Sequence, residues 1–147
     1  MVLVTVVLAM LLVAAVPNFT GTAARLQTEQ TAFALAQLFR YAHERAVTQG
    51  EPIAWVWDPD ARQARLEIDP IEGEPLPLEE RGTHRRVASE AIDVALTRDE
   101  VPVERVTFFP DGTSEAATLV VSHRGRAYTV TVHATTSRVT LTDGSGS

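Results

Sequence analysis

Residues 23–49 read AARLQTEQTAFALAQLFRYAHERAVTQ, and this stretch decides how the rest of the chain is interpreted. It is rich in Ala, Leu, Gln, Glu and Arg, which favour a helix, and Gly50 and Pro52 follow it as stop signals. Apolar residues recur near the three-to-four spacing of one helix face, and charged residues lie largely off that face. The predicted members of this stripe are Leu26, Phe33, Leu38, Tyr41, Ala42 and Ala46. The pattern predicts a helix that ends at residue 49 and packs one face on a domain.

The segment before this helix is almost wholly apolar. Residues 1–19 read MVLVTVVLAMLLVAAVPNF, and the first basic residue of the chain is Arg25. As a helix, residues 1–16 would rise about 24 Å, a few residues short of the roughly 20 that cross a bilayer core. A secretory signal peptide tolerates that length but carries Lys or Arg before its apolar core. We therefore expect one helix from residue 1 to 49, kinked near Pro17, and further residues upstream of Met1.

The composition limits the partners and the chemistry of the chain. Its 147 residues suit one domain plus an anchor, and its net charge of −6 argues weakly against nucleic acid as the main partner. All thirteen basic residues are arginines. Because there is no cysteine, the chain has neither a disulfide framework nor a thiolate metal site.

The remainder of the chain is predicted to form strands. Residues 53–58 and 64–69 flank the turn 59–62 as a hairpin, and the proline-rich, acidic residues 70–82 are predicted to be an exposed loop. Further strands are expected at 86–96, 103–109, 118–123, 126–134 and 138–142. The predicted fold class is α+β, a long N-terminal helix packed on antiparallel sheet. Its predicted parts are an anchor (1–24), a β-rich domain with the second half of the helix (25–142) and a flexible tail (143–147).

Few residues suggest a binding or catalytic site. Phe109, Pro110, Asp111 and Gly112 have a sufficient explanation as a turn, because Pro fixes φ, Asp caps and Gly supplies the left-handed residue. Asp58 and Asp60 bracket Pro59, where a hairpin turn is favoured over a cation site.

The histidines and tryptophans also favour structural interpretations. His43, His84, His123 and His133 lack metal-ligand spacing, and no nucleophile elbow or glycine-rich phosphate loop occurs. We therefore predict neither an enzyme nor a cofactor. Trp55 and Trp57 fall on one face of their strand. Core packing is favoured there over an exposed aromatic patch for a neighbouring subunit.

Three stretches in order resemble the type IV pilin-like proteins, and within them the GspH/FimT-type minor pseudopilins. Residues 2–19 resemble the membrane-spanning half of the pilin helix, which ends in Val-Pro-Asn/Asp. Residues 38–60 (LFRYAHERAVTQGEPIAWVWDPD) are similar to the family's helix end and first strand. Residues 106–114 (VTFFPDGTS) are similar to its Phe-x-Pro-Asp-Gly-x-Ser signature.

The resemblance implies an N-terminus that the chain does not contain. In the family a basic leader is cleaved after Gly, and the mature chain begins with a methylated Phe in a run such as Phe-Thr-Leu-Ile-Glu. Residues 1–4 (MVLV) match the positions directly after that fifth-position Glu. We therefore expect the leader, the cleavage site and the Glu to lie upstream of Met1.

The resemblance further implies a structural subunit of a type II secretion pseudopilus or a type IV pilus, acting in priming or at the tip. Such a subunit is a single-pass protein of the bacterial inner membrane with a periplasmic domain. Its implied partners are other pilins or pseudopilins, membrane lipid and the assembly machinery, and no cofactor is implied.

Two alternatives remain open at this point. One is a periplasmic protein secreted by cleavage after Ala15, and the other is a DNA-binding minor pilin that serves uptake. In FimT-type DNA binders a basic stretch lies near the C-terminus, where residues 137–140 (SRVT) keep only Arg138. Arg124 and Arg126 are candidates for two more weak nucleic-acid contacts, but the acidic loop and the net charge oppose them. We expect no tight binding to DNA.

Overall fold

A single helix, α1 (Val2–Gln49), forms the first third of the chain in the computed structural model. The structure describes residues 2–70 and 72–144, and for residues 12–20 the backbone alone. Helical backbone continues through position 17, where a kink was predicted, and the Pro17 side chain lies outside the described ones. Gly50 ends the helix as predicted, with φ of 70° and its N–H donating to the Ala46 carbonyl at 3.0 Å. Among the described residues, no helix combines the length and apolar character of a membrane span.

The buried side of α1 differs from the predicted stripe. Leu26 and Phe33 are 52% and 50% exposed, so their predicted inward orientation is wrong. Leu26 lies two positions before the buried Thr28, and Phe33 lies two positions before the buried Leu35. Two positions correspond to a rotation of about 200° around a helix, so Leu26 and Phe33 lie on the side opposite the buried one. The buried residues of α1 are Thr28, Ala32, Leu35, Ala36, Leu38, Phe39, Ala42 and Ala46.

The rest of the described chain forms two antiparallel sheets. The strands, in chain order, are β1 (Ile53–Asp58), β2 (Gln63–Ile68), β3 (Leu76–Pro77), β4 (His84–Arg86), β5 (Asp93–Arg98), β6 (Val101–Pro102), β7 (Arg105–Phe108), β8 (Ala117–His123), β9 (Arg126–Val132) and β10 (Val139–Asp143). The first sheet has the order β3–β2–β1–β7 with β4 also paired to β2, and the second has the order β10–β9–β8–β5–β6. Both sheets pack on α1, and the predicted α+β fold is confirmed.

Several strand boundaries differ from the prediction. The single strand expected at 86–96 is two strands, β4 and β5, which belong to different sheets. The crossing between them is held by the Arg62 guanidinium, whose Nη2 donates to the Ser89 and Ile92 carbonyls. The loop predicted at 70–82 contains the short strand β3. Of the predicted tail, Asp143 ends β10 and Gly144 N donates to the Ala127 carbonyl at 2.8 Å, while residues 145–147 lie outside the described residues.

The direction of α1 defines two ends of the folded part. At what we call the basal end, Arg25 hydrogen-bonds to Tyr128 near the start of β9. At the distal end, the ring of His43 lies 6.3 Å from the ring of Phe108. Strand β9 therefore runs from the basal end towards the distal end, beside the second half of the helix.

Candidate assembly surface

The first turns of α1 expose their apolar side chains. Val2 and Leu3 are 79% and 80% exposed, and the remaining residues as far as position 11 are also exposed. Monomeric soluble proteins rarely expose contiguous apolar surface of this extent. Residues 2–11 therefore form a surface that a partner or an apolar solvent would cover.

A second apolar surface lies on the half of α1 that carries the sheets. Leu26 and Phe33 line a shallow groove together with Leu141 of β10, and Glu29 and Gln30 form its polar rim. Since both helix residues point away from the buried stripe, they contribute little to the domain's own core. This groove and residues 2–11 form the candidate assembly surface.

An aromatic cluster fixes the helix on the first sheet. The ring of Phe39 stacks on Trp55 with centroids 4.6 Å apart, and Trp55 stacks on Trp57 at 6.5 Å. The ring of Phe108 lies 6.1 Å from the ring of Phe39. Trp55 is fully buried and Trp57 is 7% exposed, so the packing interpretation of this pair is confirmed.

The Phe109–Gly112 stretch forms the predicted turn. The Phe109 carbonyl accepts from Gly112 N at 3.1 Å, and Phe109 N donates to the Thr113 carbonyl at 2.8 Å. Pro110 occupies the second position, and Gly112 has a φ of 87°, in the left-handed region. Asp111 Oδ1 accepts from the hydroxyl of Thr113 at 2.6 Å and from its amide at 2.9 Å, and these bonds lower the pKa of the Asp111 carboxyl.

This turn also joins separate parts of the distal end. The Ser137 hydroxyl donates to the Gly112 carbonyl at 2.9 Å, which ties the segment before β10 to the turn. A Cβ at Gly112 would lie 4.0 Å from Cε1 of His43 on the helix. The turn is therefore joined by a hydrogen bond to the segment before β10.

Charged side chains on the first sheet largely neutralise one another. Arg65 bridges Asp58 at 3.3 Å and Glu67 at 2.8 Å, and Arg105 bridges Glu67 at 2.7 Å and Asp69 at 3.1 Å. Successive side chains of a strand point to opposite faces, so Arg65 and Glu67 point away from the core residue Leu66, and Arg105 points away from Val106. Arg65 and Arg105 are consequently committed to carboxylates of their own sheet.

The predicted hairpin between β1 and β2 is present, and Asp58 organises its turn. Asp58 Oδ1 accepts from the amides of Ala61 at 2.9 Å and Asp60 at 3.0 Å. These bonds, with the Ala61 amide foremost and the Arg65 charge in addition, lower the pKa of the Asp58 carboxyl.

The C-terminal part of α1 is tied to the acidic loop. Arg45 forms a bidentate pair with Glu80, with both N–O distances at 2.7 Å, and also donates to the Tyr41 hydroxyl at 3.1 Å. The hydrogen bonds from Arg45 lower the pKa of the Glu80 carboxyl.

The histidines lie on separate elements. His84 Nδ1 lies 3.0 Å from the Thr83 hydroxyl, and His123 Nδ1 lies 2.6 Å from the Ala91 carbonyl. His43 packs against Phe108, and His133 is exposed at the distal end. Within the described ranges, no three His, Asp or Glu side chains are grouped to hold a metal ion.

The structure does not bring the three predicted nucleic-acid contacts together. Arg124 and Arg126 flank the β8–β9 turn at the basal end. Arg138 precedes β10, and its carbonyl accepts from His133 N at 3.1 Å beyond the distal end of β9. The sequence interpretation missed Arg85 and Arg86, although these consecutive arginines at the end of β4 were a visible signal.

One long helix packed on two antiparallel sheets, with exposed apolar surface on the helix, defines the class of pilin-like proteins, and solved structures of that class share the fold. The minor pseudopilin EpsH from the type 2 secretion system of Vibrio cholerae matches with a TM-score of 0.67 and 14% identity, over 82% of this chain and 99% of that chain. The type IV minor pilin FimU of Pseudomonas aeruginosa matches with a TM-score of 0.64 and 17% identity, over 80% and 90%. Escherichia coli GspH matches in its solution structure with a TM-score of 0.62 and 17% identity, over 82% and 90%.

The family assignment comes from the sequence. A family model described as "Type II transport protein GspH" matches residues 31–136, and the chain belongs to this family. The resemblance to GspH/FimT-type minor pseudopilins is thereby confirmed. No curated protein sequence matches the chain.

Proposed function

We propose that this chain is a structural minor subunit of a type II secretion pseudopilus or a type IV pilus. Residues 1–24 anchor it in the bacterial inner membrane, and residues 25–142 form its periplasmic domain. The observation that carries this proposal is the continuous α1, which is apolar and exposed at residues 2–11 and buried under two sheets at residues 28–46.

The energetics of exposed apolar side chains support two kinds of contact. Covering a Val or Leu side chain is worth about 1.5–3 kcal/mol, so residues 2–11 gain from lipid or from neighbouring helices. The groove at Leu26, Phe33 and Leu141 lies beyond the proposed anchor. We assign this groove to the helix of an adjacent subunit in the filament.

The proposed role is assembly and involves no catalysis or cofactor. The family and the fold are those of structural pseudopilins. Apolar helices bundle in the centre, and the sheets carried by each helix remain outside. Priming or a place at the tip is the form of this role that we favour for a minor subunit.

The test compares two exposed apolar positions in the full chain. Phe33→Glu introduces a charge into the groove, whereas Val101→Glu introduces one on β6, where Val101 is 61% exposed and remote from the helix. Tagged versions are purified from detergent-solubilised membranes of the bacterium that encodes the chain. We expect Phe33→Glu to abolish co-purification of other pilins or pseudopilins and Val101→Glu to retain it, with unchanged circular dichroism for both.

Two results would contradict the proposal. Equal recovery of partners with Phe33→Glu would exclude the groove as a subunit contact. Release of the chain by osmotic shock, with an N-terminus at Val16, would instead favour the secreted periplasmic protein.

A further inference from the structure

Two arginines project from the basal end of the second sheet. Tyr128 of β9 is the hydrogen-bond partner of Arg25. Arg126 precedes Tyr128 by two positions at the start of β9, and Arg124 lies in the turn before the strand. A strand rises about 3.3 Å per residue, so Arg126 lies up to about 7 Å further towards the N-terminal part of the helix than Tyr128 does. The Arg124 and Arg126 side chains are exposed.

A second pair of arginines lies on the first sheet, further from the N-terminal part of the helix. Arg85 and Arg86 end β4 and line a groove along α1 with Gln27, Gln30 and Thr31. Both arginine side chains are exposed. These helix residues follow Arg25, so Arg85 and Arg86 lie on the distal side of the Arg25 level, whereas Arg124 and Arg126 lie on its basal side.

These four side chains have no carboxylate partners among residues 2–70 and 72–144, in contrast to Arg45, Arg65, Arg98 and Arg105. We call Arg124 and Arg126 the basal arginines. Each presents a planar set of N–H donors that matches the oxygens of a phosphate.

We propose that the basal arginines contact the phosphates of anionic phospholipids when the subunit is anchored in the membrane. This inference rests on the proposed function. Arg25 lies nine residues, or about 13 Å, beyond Val16 along the helix axis. Arg124 and Arg126 lie on the membrane side of that level, and the headgroup layer adds about 5–7 Å to each side of the hydrocarbon core.

The carboxylates at the same end favour membrane phosphates over DNA phosphates as the partner of the basal arginines. Glu29 and Asp143 face Arg25 and, after Tyr128, raise its pKa. Asp60 and Glu90 are also exposed there, and the chain as a whole carries −6. Long-range attraction of a free polyanion is therefore weak. A membrane anchor places the arginines beside phosphates without long-range attraction, because tethering raises their effective concentration.

The test uses the full chain inserted into vesicles. Because the chain contains no cysteine, Ala88→Cys at the basal end or Thr135→Cys at the distal end accepts a single spin label. Vesicles contain phosphatidylcholine alone or with phosphatidylglycerol, and each carries a nickel chelate on a headgroup lipid. Electron paramagnetic resonance then measures how strongly the nickel relaxes the label.

We expect stronger relaxation at position 88 than at 135, and stronger relaxation in the vesicles with phosphatidylglycerol. An arginine near an anionic surface changes binding about fivefold, so Arg124→Gln/Arg126→Gln should shift the ratio of docked to undocked chain about 25-fold. Arg85→Gln/Arg86→Gln should have little effect, because this pair lies further from the membrane along the helix. Arg40→Gln/Arg138→Gln removes the same charge elsewhere on the exposed surface and should have no effect.

The outcomes separate this inference from the function beneath it. A chain that floats with neither vesicle contradicts the membrane anchor, and the lipid contact fails with it. A chain that floats with both, but whose relaxation at position 88 changes neither with lipid charge nor in Arg124→Gln/Arg126→Gln, overturns the lipid contact alone. Retention of duplex DNA at about 150 mM salt, lost in Arg124→Gln/Arg126→Gln, would assign the arginines to nucleic acid instead.

Discussion

Two parts of α1 both carry apolar side chains, but one part is exposed and the other is covered by the sheets. Residues 2–11 are apolar except for Thr5, and their side chains are exposed, whereas residues 28–46 bury one face under the sheets. The buried face contains Ala32, Ala36, Ala42 and Ala46, whose small side chains let the sheets approach the helix closely. The domain's own stability therefore depends on the second part of α1 (residues 28–46), whereas the first part (residues 2–11) is available to other molecules.

The largest expected effect comes from the aromatic contact in the second part. Phe39→Ala removes a fully buried ring that stacks on Trp55, and should lower the free energy of unfolding by about 3–5 kcal/mol. The matched change in the first part, Leu8→Ala, should stay within about 0.5 kcal/mol, because Leu8 is 57% exposed. Urea unfolding of the full chain in detergent micelles, followed by circular dichroism, measures both. Similar losses for the two variants would refute the division of the helix.

A smaller effect is expected where the second part of α1 meets the acidic loop. Arg45→Gln removes the partner of Glu80 and should lower the urea midpoint at neutral pH by less than Phe39→Ala does. The pKa of Glu80 is lowered in the folded state, so the pair stabilises the fold above the ordinary Glu value of 4.5. That contribution is lost as the pH falls from 4.5 through the lower folded pKa. Urea midpoints of the two proteins should therefore converge in acid, and a constant difference down to about pH 2 would exclude the ion pair as the cause.

The smallest effect should follow from removing the first part altogether. A chain that begins at Arg25 keeps the buried stripe and the Arg25–Tyr128 hydrogen bond. We expect it to fold with β-type circular dichroism and with an unfolding free energy within about 1 kcal/mol of the full chain. An unfolded fragment would mean that residues 1–24 contribute to the domain.

The sequence predicted the helix, its end and most strands because their signals are local. Gly50 supplies a left-handed cap whatever surrounds it, and the alternation in 126–132 marks one buried face. The buried side of α1 was predicted incorrectly because alanines form much of it, while the larger Leu26 and Phe33 point outwards. Hydrophobicity alone ranks the large residues first and so favours the wrong face.

The positions of the candidate site residues depended on strand pairing, which local signals do not give. Arg124 and Arg126 are close in sequence and share the basal end, but Arg138 falls at the distal end because β10 runs antiparallel to β9. Arg85 and Arg86 lie beside the helix residues that follow Arg25, because β4 pairs with β2 in a register that places Arg86 opposite Gln63. The exposed arginines of the two sheets therefore lie at different levels along the helix.

The stack of Phe39 on Trp55 and Trp57 has an optical consequence. The chain has only these two tryptophans. Phe39 of the helix stacks on Trp55, and the planes of Trp55 and Trp57 are 13° apart. Coupling between two stacked indoles gives a near-ultraviolet dichroism signal that depends on their geometry, and water reaching Trp55 shifts its emission to longer wavelength. Departure of the helix from the first sheet would therefore change the intrinsic fluorescence even if every strand remained paired. The protein thus carries an unlabelled reporter for the docking of its own helix during insertion into a filament.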